Sequence, residues 1–404
     1  MRSTRRRQDA PKLPRRPVES RTVGRVFATE DGKCYRPSMF ATVTLGSYGR
    51  VRSDGTPVDP ESYDYRGAAL DAMHFPKLVD RLWQNLRRAV GYKVQYFATL
   101  EPQRRLAPHL HAAIRGAIPR ALMRQVIAGT YHQVWWPACD QPLYTDELPC
   151  WDELAGGYLD PDTGELLPTW DQALDRLGAD PEAEPAHVLR FGQQTDLQGI
   201  LAGTPDADRR IGYLCKYLTK AITDTYDGQD ETTRRKAHID RLWSYTRWLP
   251  CSPTCANWLR YGIQPKNARP RLVPGRCRGK AHRRDMLGCG GRRVLVSRYW
   301  TGKTLTEHKA DRAAIVRAVL AEAGIQAPDV DRYSATVEGE DGKPRYLWSP
   351  VRPGEEDLHT YRDLLIVALA EHHRWRLEYE HAKERAGPQG SELSATTRSA
   401  ELAA

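Results

Sequence analysis

Apolar and polar positions along this 404-residue chain follow two periods, and the switches between them mark out its elements. A period of two runs through residues 38–45, 95–101, 108–114, 187–191 and 292–297, which predicts strands. A helical period runs through 76–90, where Leu78, Leu82, Leu86 and Val90 share a face. It returns in 119–134, with Leu122, Val126, Ile127, Tyr131 and Val134 inward and His132 at the helix surface. Two more helical stretches lie near 309–324 and 357–386. Residues 48–71 read as a polar loop, and 387–404 as a disordered tail.

One further helix has clear start signals: Thr204 as a cap, Pro205 in the first turn, then Asp206 and Asp208 near the positive end of the dipole. At about 100° per residue, Ile211, Leu214, Cys215, Leu218 and Ile222 form one narrow apolar stripe. Tyr213, Lys216, Tyr217 and Lys220 fall on the other side. The tyrosines, at i and i+4, are neighbours one turn apart, and they avoid the stripe that would bury them.

Residues 108–114 carry a second signal. On a strand, His109 and His111 share one face while Leu110, Ala112 and Ile114 share the other. Two imidazoles at i, i+2 can converge on a divalent cation. The preceding strand and the loop 102–107 make a hairpin. Glu101 then either lies beside the histidines and completes a metal site, or ends its strand as a solvated carboxylate. The loop length leaves the register open. Arg104 and Arg105 at the turn are candidates to hold phosphate.

Histidine–hydrophobe–histidine on a strand, followed by Tyr-x-x-Lys-Tyr-x-x-Lys on a helix, resembles the HUH endonucleases that initiate rolling-circle DNA replication. The doubled tyrosine is similar to their two-tyrosine class, which includes the replication proteins of small isometric phages. The wider chain is similar to the replication initiators of actinobacterial integrative and conjugative plasmids, the RepSA type. Phe40-Ala41-Thr42-Val43-Thr44 and residues 251–262 and 290–298 carry that likeness, which covers roughly 35–312.

The resemblance implies an α+β chain with the HUH endonuclease fold, a central antiparallel sheet flanked by helices, in which 40–44 is the first sheet motif. No catalytic role follows from those five residues themselves. It further implies Mg2+ or Mn2+ at His109, His111 and Glu101, and a tyrosine nucleophile that leaves a 5′-phosphotyrosine and a 3′-hydroxyl primer. Lys216 and Lys220 then stabilise the phenolate or neutralise the phosphate. Tyr213 and Tyr217 either alternate over a replication round or one acts alone, Tyr217 being the choice for a single nucleophile. Origin DNA, double- and single-stranded, a host helicase and a polymerase are the implied partners. Histidines ahead of tyrosines fit a replication initiator better than a conjugative relaxase, whose tyrosine stands near the N-terminus; a transposase shares the initiator order.

Charge adds a partner class. The 61 Lys and Arg against 51 Asp and Glu, net +10, favour a polyanion. No run of about 18 apolar residues exists, and the Arg-rich start lacks a signal-peptide core, so a cytoplasmic protein without a membrane span is expected. Its eight cysteines are then thiols or metal ligands rather than disulfides. Residues 139–186 reverse the charge, with thirteen acids and one base, Arg176. That block reads as an insertion on the far side of the sheet, away from DNA.

Cys251, Cys255, Cys277, His282 and Cys289 cluster within 251–289. Three thiolates and an imidazole suit tetrahedral Zn2+, with Cys251, Cys255 and Cys277 as ligands and His282 or Cys289 as the fourth. The other reading leaves them reduced and unliganded. Lys266, Arg269, Arg271, Arg276, Arg278, Lys280, Arg283 and Arg284, together with Trp258 and Tyr261 just upstream, suit a nucleic-acid surface. Gly302-Lys303-Thr304 lacks the upstream glycine of a phosphate-binding loop, since position 297 is Ser297, so no helicase domain is expected.

The expected organisation is a flexible basic arm at 1–24, itself complete or the stump of a longer one, and a nicking domain at 25–247 carrying the acidic insertion. A Cys/His-rich DNA-binding module follows at 248–298 and a helical region at 299–404. Two functions are in competition: a nicking–joining enzyme, and a non-catalytic DNA-binding regulator with a structural zinc.

Overall fold

The computed structural model describes residues 10–20, 37–201, 204–219, 233–300 and 303–322, with isolated positions at 27–35 and 366–381; of 215–219 it describes the backbone alone. Two compact units are present, Met1–Thr301 and Gly302–Ala404. Residues 1–9, most of the helix expected at 357–386 and the tail at 387–404 lie outside the described residues.

Among the described residues there are ten strands. β1 (Phe27–Ala28) and β2 (Cys34–Tyr35) form one small ribbon. A second ribbon joins β7 (Cys150–Asp152) and β8 (Gly157–Leu159). The others are β3 (Pro37–Leu45), β4 (Tyr96–Pro102), β5 (Pro108–Arg115), β6 (Tyr131–Val134), β9 (His187–Leu201) and β10 (Val294–Val296). They make one antiparallel sheet, ordered β10-β4-β5-β3-β9-β6.

Alternation gives the sheet two different faces. Ala41, Val43, Ala98, Leu100, Leu110, Ala112 and Ile114 are buried on one, beneath Phe75, Leu78, Leu82 and Leu86 of α1 (Tyr65–Val90). Met123, Val126 and Ile127 of α2 (Arg120–Ala128) extend that layer. Each of the larger side chains in this layer is worth about 1.5–3 kcal/mol when fully buried, so the opposite face is free to hold polar groups. There, Phe40 and Ile200 pack against Ala207 and Leu214 of α4 (Pro205–Thr219). β9 serves two partners, β3 from Leu201 to Phe191 and β6 from Arg190 to His187. A Cβ on Gly192, at the changeover, would stand 2.7 Å from the Leu45 carbonyl oxygen, so only glycine fits.

Tertiary packing overrides local pattern in several places. The helix expected at 76–90 starts at Tyr65, which shortens the expected loop at 48–71. Asp64 caps it, accepting from Gly67 N at 2.7 Å. Pro76 removes one internal hydrogen bond, yet the helix continues. Its first turns are held by Tyr65, Ala68 and Ala69 against Ile239 and Leu242 of α5 (Thr233–Trp248). The helix expected at 119–134 ends at Ala128, where Thr130 Oγ1 donates to the Val126 carbonyl at 2.6 Å. Residues 131–134 become β6, so His132 is half-buried on a strand and not at a helix surface.

The acidic block contains β7, β8 and α3 (Trp170–Ala179), whose Thr169–Gln172 capping box opens the helix. It docks on the Cys-rich segment: Gln264 Nε2 donates to the Leu167 carbonyl at 2.7 Å, and Leu272 N to Tyr158 Oη at 2.7 Å. Residues 10–20, expected within the flexible arm, lie along the helices; Arg16 N donates to the Arg88 carbonyl at 2.8 Å and Leu13 packs on the core. In the second unit, α6 (Leu305–Glu322) covers the helical stretch expected near 309–324. No described helix is long and apolar enough to cross a membrane.

Candidate active site and metal centres

The hairpin of β4 and β5 sets the first cluster. Its loop closes with Gln103 N donating to the Ala107 carbonyl at 2.8 Å, and Leu106 adopts φ 65°. That closure pairs Glu101 with His109 and Thr99 with His111, while β3 pairs Thr42 with His111. Directly paired residues project to the same face, so Glu101, His109, His111 and Thr42 converge. His109 Nε2 lies 2.7 Å from His111 Nε2. Glu101 Oε1 lies 3.2 Å from His111 Nε2 and 4.0 Å from His109 Nε2. The register left open by the sequence thus places Glu101 in the cluster and not at a solvated strand end.

All three residues are buried, with relative exposures of 4 %, 8 % and 5 % for Glu101, His109 and His111. Burial, reinforced by His111, pushes His109 down to about 3, so at neutral pH its imidazole offers a lone pair. Glu101 Oε1 is buried and forms no hydrogen bond. A buried carboxylate oxygen of that kind, facing two imidazole nitrogens, suits a cation. Octahedral coordination at about 2.1 Å puts adjacent donors roughly 3 Å and opposed donors roughly 4 Å apart. The observed 2.7, 3.2 and 4.0 Å fit that spacing, and the donor atoms of the trio all lie within 4.8 Å of one another.

α4 brings the phenol. Its start is as expected: Ala207 N donates to Thr204 Oγ1 at 3.4 Å, with Asp206 and Asp208 in the first turn. The Tyr213 hydroxyl lies 3.3 Å from His111 Nε2, its ring edge-on to that imidazole at 5.1 Å. Tyr213 keeps 40 % of its surface exposed, so a substrate can reach it. The apolar stripe is only partly as expected. Leu214 is 2 % exposed, but Ile211 is 52 % exposed. The helix meets the sheet through Ala207 and Leu214, with Arg210 over the Phe40 ring, and this rolls Ile211 outward. The side chains of Lys216 and Tyr217, and Lys220 altogether, lie outside the described residues.

Residues 40–44 do more than the sequence suggested. Thr42 Oγ1 lies 2.9 Å from His111 Nδ1, and the Phe40 ring stacks on His111 at 6.0 Å. Alternation alone puts both on one face. Their partner was hidden because only the register identifies it.

A second cluster gathers Cys251, Cys255, Cys277 and His282, with donor atoms within 4.8 Å of one another. Cys251 Sγ is 4.0 Å from Cys277 Sγ, and Cys255 Sγ is 3.4 Å from His282 Nε2. Tetrahedral zinc, with bonds near 2.3 Å to sulfur and 2.0 Å to nitrogen, requires spacings of about 3.5–3.8 Å. His282 Nδ1 donates to the Thr246 carbonyl at 2.7 Å, which turns Nε2 inward. A Cβ on Gly279 would stand 2.9 Å from Cys251 Sγ, so the backbone wraps the cluster closely. The donors compete for protons: hydrogen bonds with Cys251 and Cys277 push the Cys255 thiol up, and hydrogen bonds with Cys251, Cys255 and His282 pull Cys277 down. Cys289, the alternative fourth ligand, stands apart, its thiol pushed up to about 12 by burial.

The candidate phosphate-binding cations divide into two groups. Arg105 is committed to protein, donating to the Gly46 and Leu45 carbonyls at 2.6 and 2.8 Å and to Gln103 Oε1 at 2.8 Å. Arg283 pairs with Asp285, and Arg284 with Asp240. Arg104, Arg276, Arg278 and Lys280 are exposed, with no ion pair among the described residues, whereas Trp258 and Tyr261, expected on the same nucleic-acid surface, are buried in the core beside α1 and α5.

The chain matches, over residues 1–368, the family described as replication initiator protein, pSAM2 (RepSA). It is similar to a replication initiator protein of Streptomyces ambofaciens, 26 % identical over 225 residues, which are 47 % of this chain and 43 % of that relative. The match thus spans less than half of the relative's length. No solved structure matches.

Proposed function

This chain belongs to the RepSA family of replication initiators, and we propose that it nicks one strand of its origin DNA through Tyr213 and later rejoins it. The observation that carries this reading is the Tyr213 hydroxyl 3.3 Å from His111 Nε2, beside a buried Glu101–His109–His111 cluster. The antiparallel sheet with two histidines on its central strand and a tyrosine helix across the same face supports the HUH endonuclease fold. Glu101, His109 and His111 would hold Mg2+ or Mn2+; when bound, such an ion polarises a non-bridging phosphate oxygen.

Tyr213 Oη attacks phosphorus in line, the bond from phosphorus to O3′ breaks, and the 5′-phosphate stays on the tyrosine. The phenol loses a proton and the leaving oxygen gains one, so the exchange is balanced. One phosphodiester replaces another, which keeps the bond energy for rejoining, and the free 3′-hydroxyl serves as a primer. Burial of the cluster on a sheet anchored by α1 keeps the donors in place through both steps. Tyr217, one turn later on α4, is the candidate for the second strand transfer, with Lys216 and Lys220 close in sequence.

Cys251, Cys255, Cys277 and His282 would hold Zn2+, which would pin the segment that carries Arg276, Arg278 and Lys280; those cations would bind origin duplex. Host helicase and polymerase then act on the nicked strand, in the cytoplasm. The nicking domain at 25–247, with its acidic insertion, the Cys/His-rich module at 248–298 and the helical region at 299–404 divide this work.

Incubation with supercoiled plasmid carrying the cognate origin tests the reading. Nicked circles with protein attached through SDS, dependent on Mg2+ or Mn2+ and lost in His109→Ala, support it. A mobility shift without covalent attachment would instead make the chain a DNA-binding regulator.

A further inference from the structure

β3 runs through the middle of the sheet, between β5 and β9, and its residues alternate between two tasks. Ala41 and Val43 are fully buried in the core beneath α1. Phe40 and Thr42 face the other way, and both touch His111. Thr42 is the cross-strand partner of His111, with its hydroxyl oxygen 2.9 Å from Nδ1. The other ring nitrogen, Nε2, faces His109 Nε2, Glu101 Oε1 and the Tyr213 hydroxyl at 2.7, 3.2 and 3.3 Å.

A neutral imidazole carries one proton, and the nitrogen that carries it cannot ligate. Nε2 is a donor to a cation only in the tautomer protonated at Nδ1, and a proton there, inside a site 5 % exposed, needs an acceptor. We propose that Thr42 is a positioning residue: its Oγ1 accepts the Nδ1 proton of His111, fixing the ring and leaving the Nε2 lone pair for a divalent cation. The inference rests on the reading of Glu101, His109 and His111 as a cation site. A hydroxyl suits the task better than a carboxylate would, because it orients the ring without adding a second negative charge to the cluster. The β-branched threonine also matches the strand it occupies.

The test uses the full chain with Thr42→Val, which keeps the shape and removes the acceptor, and Thr42→Ser, which restores it. Mn2+ binding, followed by the electron paramagnetic resonance of the free ion, should weaken by about 10–100-fold in Thr42→Val and recover most of that loss in Thr42→Ser. Zinc content and the thermal transition should stay unchanged. In the wild type at pH 8, with its zinc retained and diamagnetic Mg2+ in excess, the nitrogen-15 imidazole signals lost in His111→Asn should show Nδ1 protonated and Nε2 without a proton. Thr42→Val should mix the two tautomers. Unchanged Mn2+ affinity in a folded Thr42→Val, or a wild-type His111 protonated at Nε2, overturns the proposal. Should Thr42→Val fail to fold, the wild-type spectrum still decides. Should the wild type take up no Mn2+, the cation reading falls, and the same spectrum judges Thr42 separately.

Discussion

Truncating Leu214 to alanine should disable the proposed nucleophile, Tyr213, without touching any reacting group. Leu214 is 2 % exposed and packs with Phe40, Ile200 and Ala207. Among the described side chains of α4, only Leu214 and Ala207 are buried. Leu→Ala in a packed site costs about 2.7–5 kcal/mol, the transfer term plus the cavity left behind. Here the loss falls on a small cluster that fastens one helix to the sheet, so it appears as undocking of α4 and not as global unfolding. At about 1.4 kcal/mol per decade, a loss of 3 kcal/mol lowers the equilibrium constant for docking by roughly a hundredfold, and the docked fraction follows because so few buried side chains hold the helix. The assay is the rate of covalent adduct formation on a single-stranded origin oligonucleotide, alongside Mn2+ uptake and the thermal transition. Adduct formation should fall by one to two decades with the other two nearly unchanged. Ile211→Ala supplies the control: at 52 % exposure its effect should stay within about 0.5 kcal/mol. Wild-type rates in Leu214→Ala, or an equal loss in Ile211→Ala, would refute the docking argument.

Tyr213→Phe keeps the ring against Phe40 and His111 but removes the hydroxyl; SDS-resistant adducts on the same oligonucleotide should disappear, and their persistence would move the first cleavage to Tyr217. Cys277→Ser should release about one equivalent of zinc to a colorimetric chelator and lower the thermal transition, since structural zinc contributes strongly to folding; a zinc-free wild type would end that assignment. Stability should also fall with acid. Burial holds His74 down at about 3 and His238 at about 4, both below the unfolded value of about 6.5. The unfolded chain therefore binds more protons below about 6.5. The stabilisation is full above that pH, and each group loses about 1.4 kcal/mol per unit as pH falls toward its folded value. Urea midpoints at pH 7.5 and 5 should differ accordingly; equal midpoints would mean that these imidazoles are not buried neutral.

Local pattern carried some parts of the molecule and not others. The alternation of 108–114 and the nearby carboxylate were readable because a hairpin needs only short-range geometry, and one register choice settled Glu101. The zinc-type cluster was readable from residue type, although choosing His282 over Cys289 took three dimensions. α5 escaped notice because only His238, Ile239, Leu242 and Thr246 are buried along it, too few to draw a stripe. The early start of α1 was masked by Pro76, whose usual effect is outweighed by packing at both ends. Thr42 looked like any strand threonine, since its importance comes from a neighbour 69 residues away. Arg105 looked like a phosphate ligand because sequence cannot show that backbone carbonyls have already claimed it.

β10 bears on how the proposed enzyme would measure its origin. After the cysteine cluster the chain returns to the sheet and adds its edge strand beside β4, Val294 opposite Thr99 and Val296 opposite Phe97. The cluster is thus tethered on both sides, by α5 before it and by β10 after it, and it shares buried residues with α1. Such a double anchorage works as a caliper. On the proposed reading, a duplex gripped near Arg276 and Arg278 would be presented to Tyr213 at an interval the protein dictates, with no slack for a swinging arm to take up.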